Sequence, residues 1–180
     1  LIAITGSNGK TTVTALTAHL LNGAKIPAIA CGNISPSALD ALMGVVDGLP
    51  QFPQNPQVWV LEISSFQLET TAKLGADAAL ILNISEDHLD RHGNMSAYVS
   101  AKARIFEGCK AQVLNADEMF SNKWQQHQTW QVRFGLSSPE NSPKCNEDYG
   151  VENGWITHGK EKLFSIAALP IAGAHNVSNA

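Results

Sequence analysis

GSNGKTT, residues 6–12, stands between a short apolar run, LIAIT (Leu1 to Thr5), and a helical pattern from Thr11 to about Leu21. A strand, a glycine-rich turn, Lys-Thr and a helix together make a phosphate cradle. The N–H groups of the turn and of the helix N-terminus point at an anion. In such a loop Lys10 reaches the β- and γ-phosphates, and the Thr11 hydroxyl holds Mg²⁺. Gly6, Ser7, Asn8, Gly9, Lys10, Thr11 and Thr12 are therefore candidate nucleotide contacts. The spacing departs from the standard P-loop, whose first glycine would fall at Ile4; Gly6 sits two residues later, so the loop is tighter. A plain capped turn would have no need for Lys10 beside Thr11 and Thr12.

Working outward, apolar runs at Leu1–Thr5, Ile26–Cys31, Val58–Ile63, Ala78–Asn83 and Ala111–Asn115 read as strands covered on both faces. Helical patterns lie between them at Thr11–Leu21, Ser37–Val46, Ser65–Leu74 and Ser96–Phe106, with Ser37, Ser65 and Ser96 as expected N-caps. This alternation predicts an α/β fold: a doubly wound, mostly parallel sheet carrying the P-loop, with right-handed crossovers. Ligands of such sheets sit at the C-terminal ends of strands. LPQFPQNPQ (49–57) reads as a proline-rich surface connection. Trp130–Phe134, Gly150–Thr157 and Lys162–Leu169 read as a small antiparallel addition at the sheet edge, and 137–148 as polar enough for disorder.

The chain has 180 residues, 44% hydrophobic and 16% charged, which is enough for one sizeable core. A net charge of −4 and a pI near 5.8 argue against general binding to nucleic acid or anionic membranes. Cys31, Cys109 and Cys145 are odd in number and widely spaced, so reduced thiols in a cytoplasm are expected rather than a disulfide framework. No apolar run reaches the length of about 20 residues that a membrane helix needs. Leu1 begins inside a strand and GAHNVSNA closes where a helix starts, so a domain of a longer polypeptide is expected.

Three further clusters leave strands or line a helix. In LEISSFQLE (61–69), Glu62 ends a strand beside the phosphate loop, a good position for a Mg²⁺ ligand. LNISEDHLDRH (82–92) packs Glu86, Asp87, His88, Asp90, Arg91 and His92 into seven residues at a strand end; His88 is read as functional and His92 as an ordinary member of a charged loop. In YVSAKARIF (98–106), Tyr98, Ala101, Ile105 and Phe106 form a core-facing stripe with Lys102 near it. Taken alone, Lys102 is a lysine with a packed stem and a solvated head.

With these clusters in order, the chain resembles the Mur ligase family, ATP-dependent formers of amide bonds in the peptide stem of the bacterial cell wall. GSNGKTT resembles the family's ATP loop. LEISSFQLE, LNISEDHLDRH, AKARIF and GAHNVSNA resemble its D-glutamate-adding branch. The likeness spans residues 1 to about 117 and 173 to 180, and 118–172 carries little of it. It implies a central ATP-binding domain (1–180, with a small antiparallel subregion at 130–170). A UDP-binding domain would precede it and an amino-acid-binding domain would follow, so these residues alone are expected to be inactive. It implies catalytic roles for Lys10, His88 and Lys102. Thr11 and Glu62 would hold one Mg²⁺, and His88 would serve a second. Lys102 would act as a carbamate formed with CO₂, which turns a cation into an anion suited to Mg²⁺. Asn33, Ser64 and His88 would touch substrate, and Asn176 and Asn179 would lie near adenine. The implied partners are ATP, UDP-N-acetylmuramoyl-L-alanine and D-glutamate, with no nucleic acid and no membrane, and a cytoplasmic monomer is expected. Two other readings stand beside this one: a P-loop kinase or hydrolase of another class, and a non-catalytic nucleotide-binding module.

Overall fold

In the computed structural model, β1 (Ile2–Thr5) pairs in parallel with β3 (Val58–Glu62) on one side and β4 (Ala78–Ile81) on the other. The structure describes residues 1–125, 129–136, 148–170 and 173–180. Among these, β2 (Ala28–Gly32), β5 (Ala111–Asn115), β6 (Trp130–Phe134), β7 (Tyr149–Glu152), β8 (Trp155–His158) and β9 (Glu161–Ser165) complete one sheet. Its order is β2-β3-β1-β4-β5-β6-β7-β8-β9. Pairing is parallel from β2 to β7 and antiparallel from β7 to β9. The register sets Ile4 opposite both Glu62 and Leu80, so the turns after β1, β3 and β4 emerge side by side.

Alternating residues of the strands serve two faces. On one, Ile4, Val60 and Leu82 pack with Val13 and Ala18 of α1 (Lys10–Gly23). On the other, Ala3, Ala79, Ile81 and Leu114 pack with Leu68 of α3 (Ser65–Thr70) and with Ile105 and Phe106. Ile29 and Cys31 meet Ala41 of α2 (Ala38–Val46). Ile105 and Phe106 lie in a 3₁₀ turn continuing α5 (Met95–Ala103), and the Tyr98, Ala101, Ile105, Phe106 stripe is buried as the periodicity requires.

Several boundaries differ from the sequence expectations. The N-cap of α3 is Ser64, not Ser65: its hydroxyl accepts from Gln67 N–H while the Gln67 side chain accepts from Ser64 N–H, a capping box. The N-cap of α5 is Asn94, not Ser96, and accepts from Ala97 N–H at 2.9 Å. α3 stops at Thr70 rather than Leu74, because Arg104 draws off the carbonyls of Glu69 (2.9 Å) and Thr71 (2.8 Å). β6 is not part of the antiparallel addition; it runs parallel to β5 over its whole length. The run Gly150–Thr157 is not one strand. It folds at Asn153-Gly154 (φ 49° and 78°), the positive-φ pair of a two-residue hairpin turn. The charged run after β4 contains α4 (Leu89–His92). The expectation of disorder over 137–148, apart from Asp148, lies outside the described residues, as does Cys145.

Candidate nucleotide-phosphate and metal site

The loop from Gly6 to Gly9 joins β1 to α1, with Gly9 at φ 81° in the N-cap position. Only glycine fits there easily: the conformation is left-handed, and a β-carbon would lie 2.8 Å from the Asn179 side-chain oxygen of α6 (Ala174–Asn179). That contact brings Asn179 to the loop. α1 carries no side-chain N-cap, and among the described residues the backbone N–H groups of Gly9, Lys10, Thr11 and Thr12 donate to no other protein group. These are the donors a helix leaves open at its start. Lys10 folds back, its Nζ donating to the carbonyls of Gly6 and Ser7 at 3.0 Å each.

Glu62 ends β3 beside this loop and is 2% exposed. The Thr11 hydroxyl donates to Oε2 at 2.9 Å and the Asn33 amide to Oε1 at 3.2 Å. Gly32 (φ 114°) lets Asn33 approach: a β-carbon there would overlap the Glu62 carbonyl, to which Asn33 N–H donates at 2.8 Å. A buried carboxylate is normally paired with a cation. Among the described residues Glu62 faces only neutral donors, an arrangement that fits a divalent cation. No group of three or more His, Cys, Asp or Glu clusters with metal geometry among the described residues. A site with the single carboxylate of Glu62 and the hydroxyl of Thr11 suits Mg²⁺, an ion that keeps waters and phosphate oxygens around it.

Lys102 is not the solvated lysine that its position alone suggested. It is 2% exposed, and its Nζ donates to the Gly6 carbonyl at 2.8 Å and to Thr5 Oγ1 at 3.4 Å. Burial first, and then the charge of Lys10, lower its pKa to about 7, against a weaker opposing pull from Asp87. Lys10 and Lys102 therefore converge on one carbonyl. Tyr98, fully buried, lies beneath Lys102 Nζ (4.8 Å to its ring) and bonds Ser7 Oγ at 3.0 Å. Ser7 Oγ also accepts from Ser85 N–H at 2.9 Å.

His88 stands at the rim, exposed, at φ 53°, with its ring 5.0 Å from Phe66 and its Nε2 3.3 Å from Asp87. His92 is no solvated loop residue: its side chain is 1% exposed, bonds Ser65 Oγ at 3.0 Å and faces Glu69. The Ser64 hydroxyl is engaged with Gln67 in the helix cap. Thr12 is exposed on the first turn of α1. Asn176 and Asn179 share α6, and Asn179 lies against the loop at Gly9. Sequence reasoning did not single out Gly32, Asn83, Ser85 or a polar role for Tyr98. Their signals were weak: a glycine and an asparagine at strand ends, and a hydroxyl on a residue otherwise read as core.

The Mur ligase middle domain family matches residues 4–180. The chain is 56% identical over 181 residues to the UDP-N-acetylmuramoylalanine--D-glutamate ligase of Dechloromonas aromatica (strain RCB), covering 100% of this chain and 38% of that protein. It is 46% identical over 183 residues to the ligase of the same name from Aromatoleum aromaticum, covering 99% and 38%. A solved UDP-N-acetylmuramoyl-L-alanyl-D-glutamate--2,6-diaminopimelate ligase superposes with a TM-score of 0.74 at 25% identity, over 99% of this chain and 40% of that one. The chain thus spans little more than a third of the length of these relatives.

Proposed function

The chain belongs to the Mur ligase family, and we propose that it is the ATP-binding domain of an enzyme that joins D-glutamate to UDP-N-acetylmuramoyl-L-alanine in the bacterial cytoplasm, as a monomer. The relatives' greater length supports two further domains, one for the UDP moiety and one for the incoming amino acid. The observation that carries the reading is Lys102: a kinase or hydrolase loop has no evident use for a buried, weakly basic amine directed at its own glycine carbonyl.

Lys10 neutralises the nucleotide phosphates, and the open N–H groups at the start of α1 receive their oxygens. Thr11 and Glu62 would hold one Mg²⁺, and His88 with Lys102 would serve a second. Bound Mg²⁺ supplies positive charge against the transferring phosphoryl oxygens. The neutral Lys102 amine adds CO₂ to give a carbamate and one proton, and its low pKa supports this because only the unprotonated amine reacts. In this reading Asn33, Ser64 and His88 contact the acceptor substrate, and Asn176 and Asn179 contact adenine. In the reaction, the L-alanyl carboxylate attacks the γ-phosphate, ADP departs, and the amine of D-glutamate displaces phosphate from the acyl phosphate.

The test is isotopic. Full-length enzyme is given substrate with ¹⁸O in the alanyl carboxylate, and one labelled oxygen is expected in the phosphate released per turnover. Release of unlabelled phosphate would exclude the acyl phosphate route.

A further inference from the structure

The loop is two residues tighter than a standard P-loop, and something outside it has to hold its shape. Asn83, the second residue after β4, does so with both side-chain polar atoms and its backbone carbonyl. Its side-chain oxygen accepts from Asn8 N–H at 2.8 Å, and its side-chain nitrogen donates to the Asn8 carbonyl at 3.0 Å. Its backbone carbonyl accepts from Ser7 N–H at 2.9 Å. The amide group thus pairs with Asn8 as a neighbouring strand would. Two residues on, Ser85 adds its N–H to Ser7 Oγ at 2.9 Å, and its own Oγ accepts from the Asn8 side chain at 3.3 Å.

These bonds divide the loop. The N–H groups of Ser7 and Asn8 are spent on Asn83 and are unavailable to an anion. Those of Gly9, Lys10, Thr11 and Thr12 remain open. We propose that Asn83 is a positioning residue: it occupies the first half of the loop and so confines the phosphate to the amides of residues 9–12. This rests on the nucleotide-site reading given above. The side chains of Ser7 and Asn8 then act as braces and do not contact phosphate.

The experiment is a titration of ¹⁵N-labelled full-length protein with Mg·ATP, with hydrogen exchange on the same samples. The amides of 9–12 are expected to shift strongly. The Asn8 amide should be protected before nucleotide is added and equally protected after. If Asn8 is unprotected without nucleotide, or shifts as much as residues 9–12, the Asn83 proposal is wrong while the nucleotide site stands. If nothing in 6–12 shifts, the nucleotide reading and this inference fall together. Asn83→Ala should weaken Mg·ATP about tenfold, the size of one or two ordinary hydrogen bonds. The KM for D-glutamate should stay unchanged, and the unfolding midpoint of the nucleotide-free protein should fall only by the small amount that two ordinary hydrogen bonds are worth. An equal rise in both KM values, or a large drop in the midpoint, would mean that Asn83 acts only through general stability.

Discussion

Replacing Lys102 by methionine should stabilise the nucleotide-free protein, and by an amount that shrinks as pH rises. Methionine matches the lysine stem and brings no charge into a site that is 2% exposed. The pKa of Lys102 falls from 10.5 to about 7 on folding. Between these values the unfolded chain binds the proton and the folded chain does not, so wild-type stability rises with pH across that window. Below about 7 both states are protonated and the full penalty is present; above about 10.5 it is gone. The whole shift corresponds to roughly 5 kcal/mol, and the interval from about pH 6.5 to about pH 9 to roughly 2.5 kcal/mol of it. Chemical denaturation of both proteins in CO₂-free buffer at these two pH values measures the difference. The Lys102→Met advantage should be roughly 2.5 kcal/mol larger at the lower pH. Parallel stability curves for the two proteins would refute the reasoning, because they would mean that Lys102 keeps an ordinary pKa in the fold.

Lys10→Ala in the full-length enzyme is expected to lower kcat as well as raise the KM for ATP, since the lysine meets charge that develops in the transition state; a near wild-type kcat in steady-state assays would contradict that role. Gly9→Ala should destabilise by about 1–3 kcal/mol, because it strains a left-handed residue and presses on Asn179, as thermal denaturation would register. Lys102→Ala should lose most activity and regain part of it with added formate. Lys102→Arg should stay inactive, because guanidinium cannot form the carbamate; a fully active arginine variant would exclude that chemistry.

The parallel sheet was legible because its strands are continuous apolar runs with both faces covered, and because Lys10-Thr11 after β1 signals a loop that no other element uses. The antiparallel arm at the sheet edge was legible too, but its strand boundaries were not, for a local reason. Asn153-Gly154 is a strong hairpin signal, but the apolar residues on either side of it read as one strand. Periodicity does not give strand direction, so β6 reads from sequence as part of that arm; only its register with β5 sets it parallel. Ser37 caps α2 as expected, whereas the cap of α3 moves by one residue because Ser64 and Ser65 are chemically alike and only the reciprocal bond with Gln67 distinguishes them, and that of α5 moves from Ser96 to Asn94. In the site, Glu62, Thr11 and Asn33 meet through strand register, which spacing along the chain does not encode. The burial of Lys102 was half visible from its place on the Tyr98 helix face. The brace formed by Asn83 was not visible, since a single asparagine at a strand end carries no pattern.

The most direct test of the account is ATP cleavage by the full-length enzyme supplied with UDP-N-acetylmuramoyl-L-alanine, in parallel reactions with D-glutamate, L-glutamate, meso-diaminopimelate, L-lysine or no amino acid. Sustained ADP release and amide product are expected with D-glutamate alone. Equal ADP release in every reaction, or product with another amino acid in preference to D-glutamate, would contradict it.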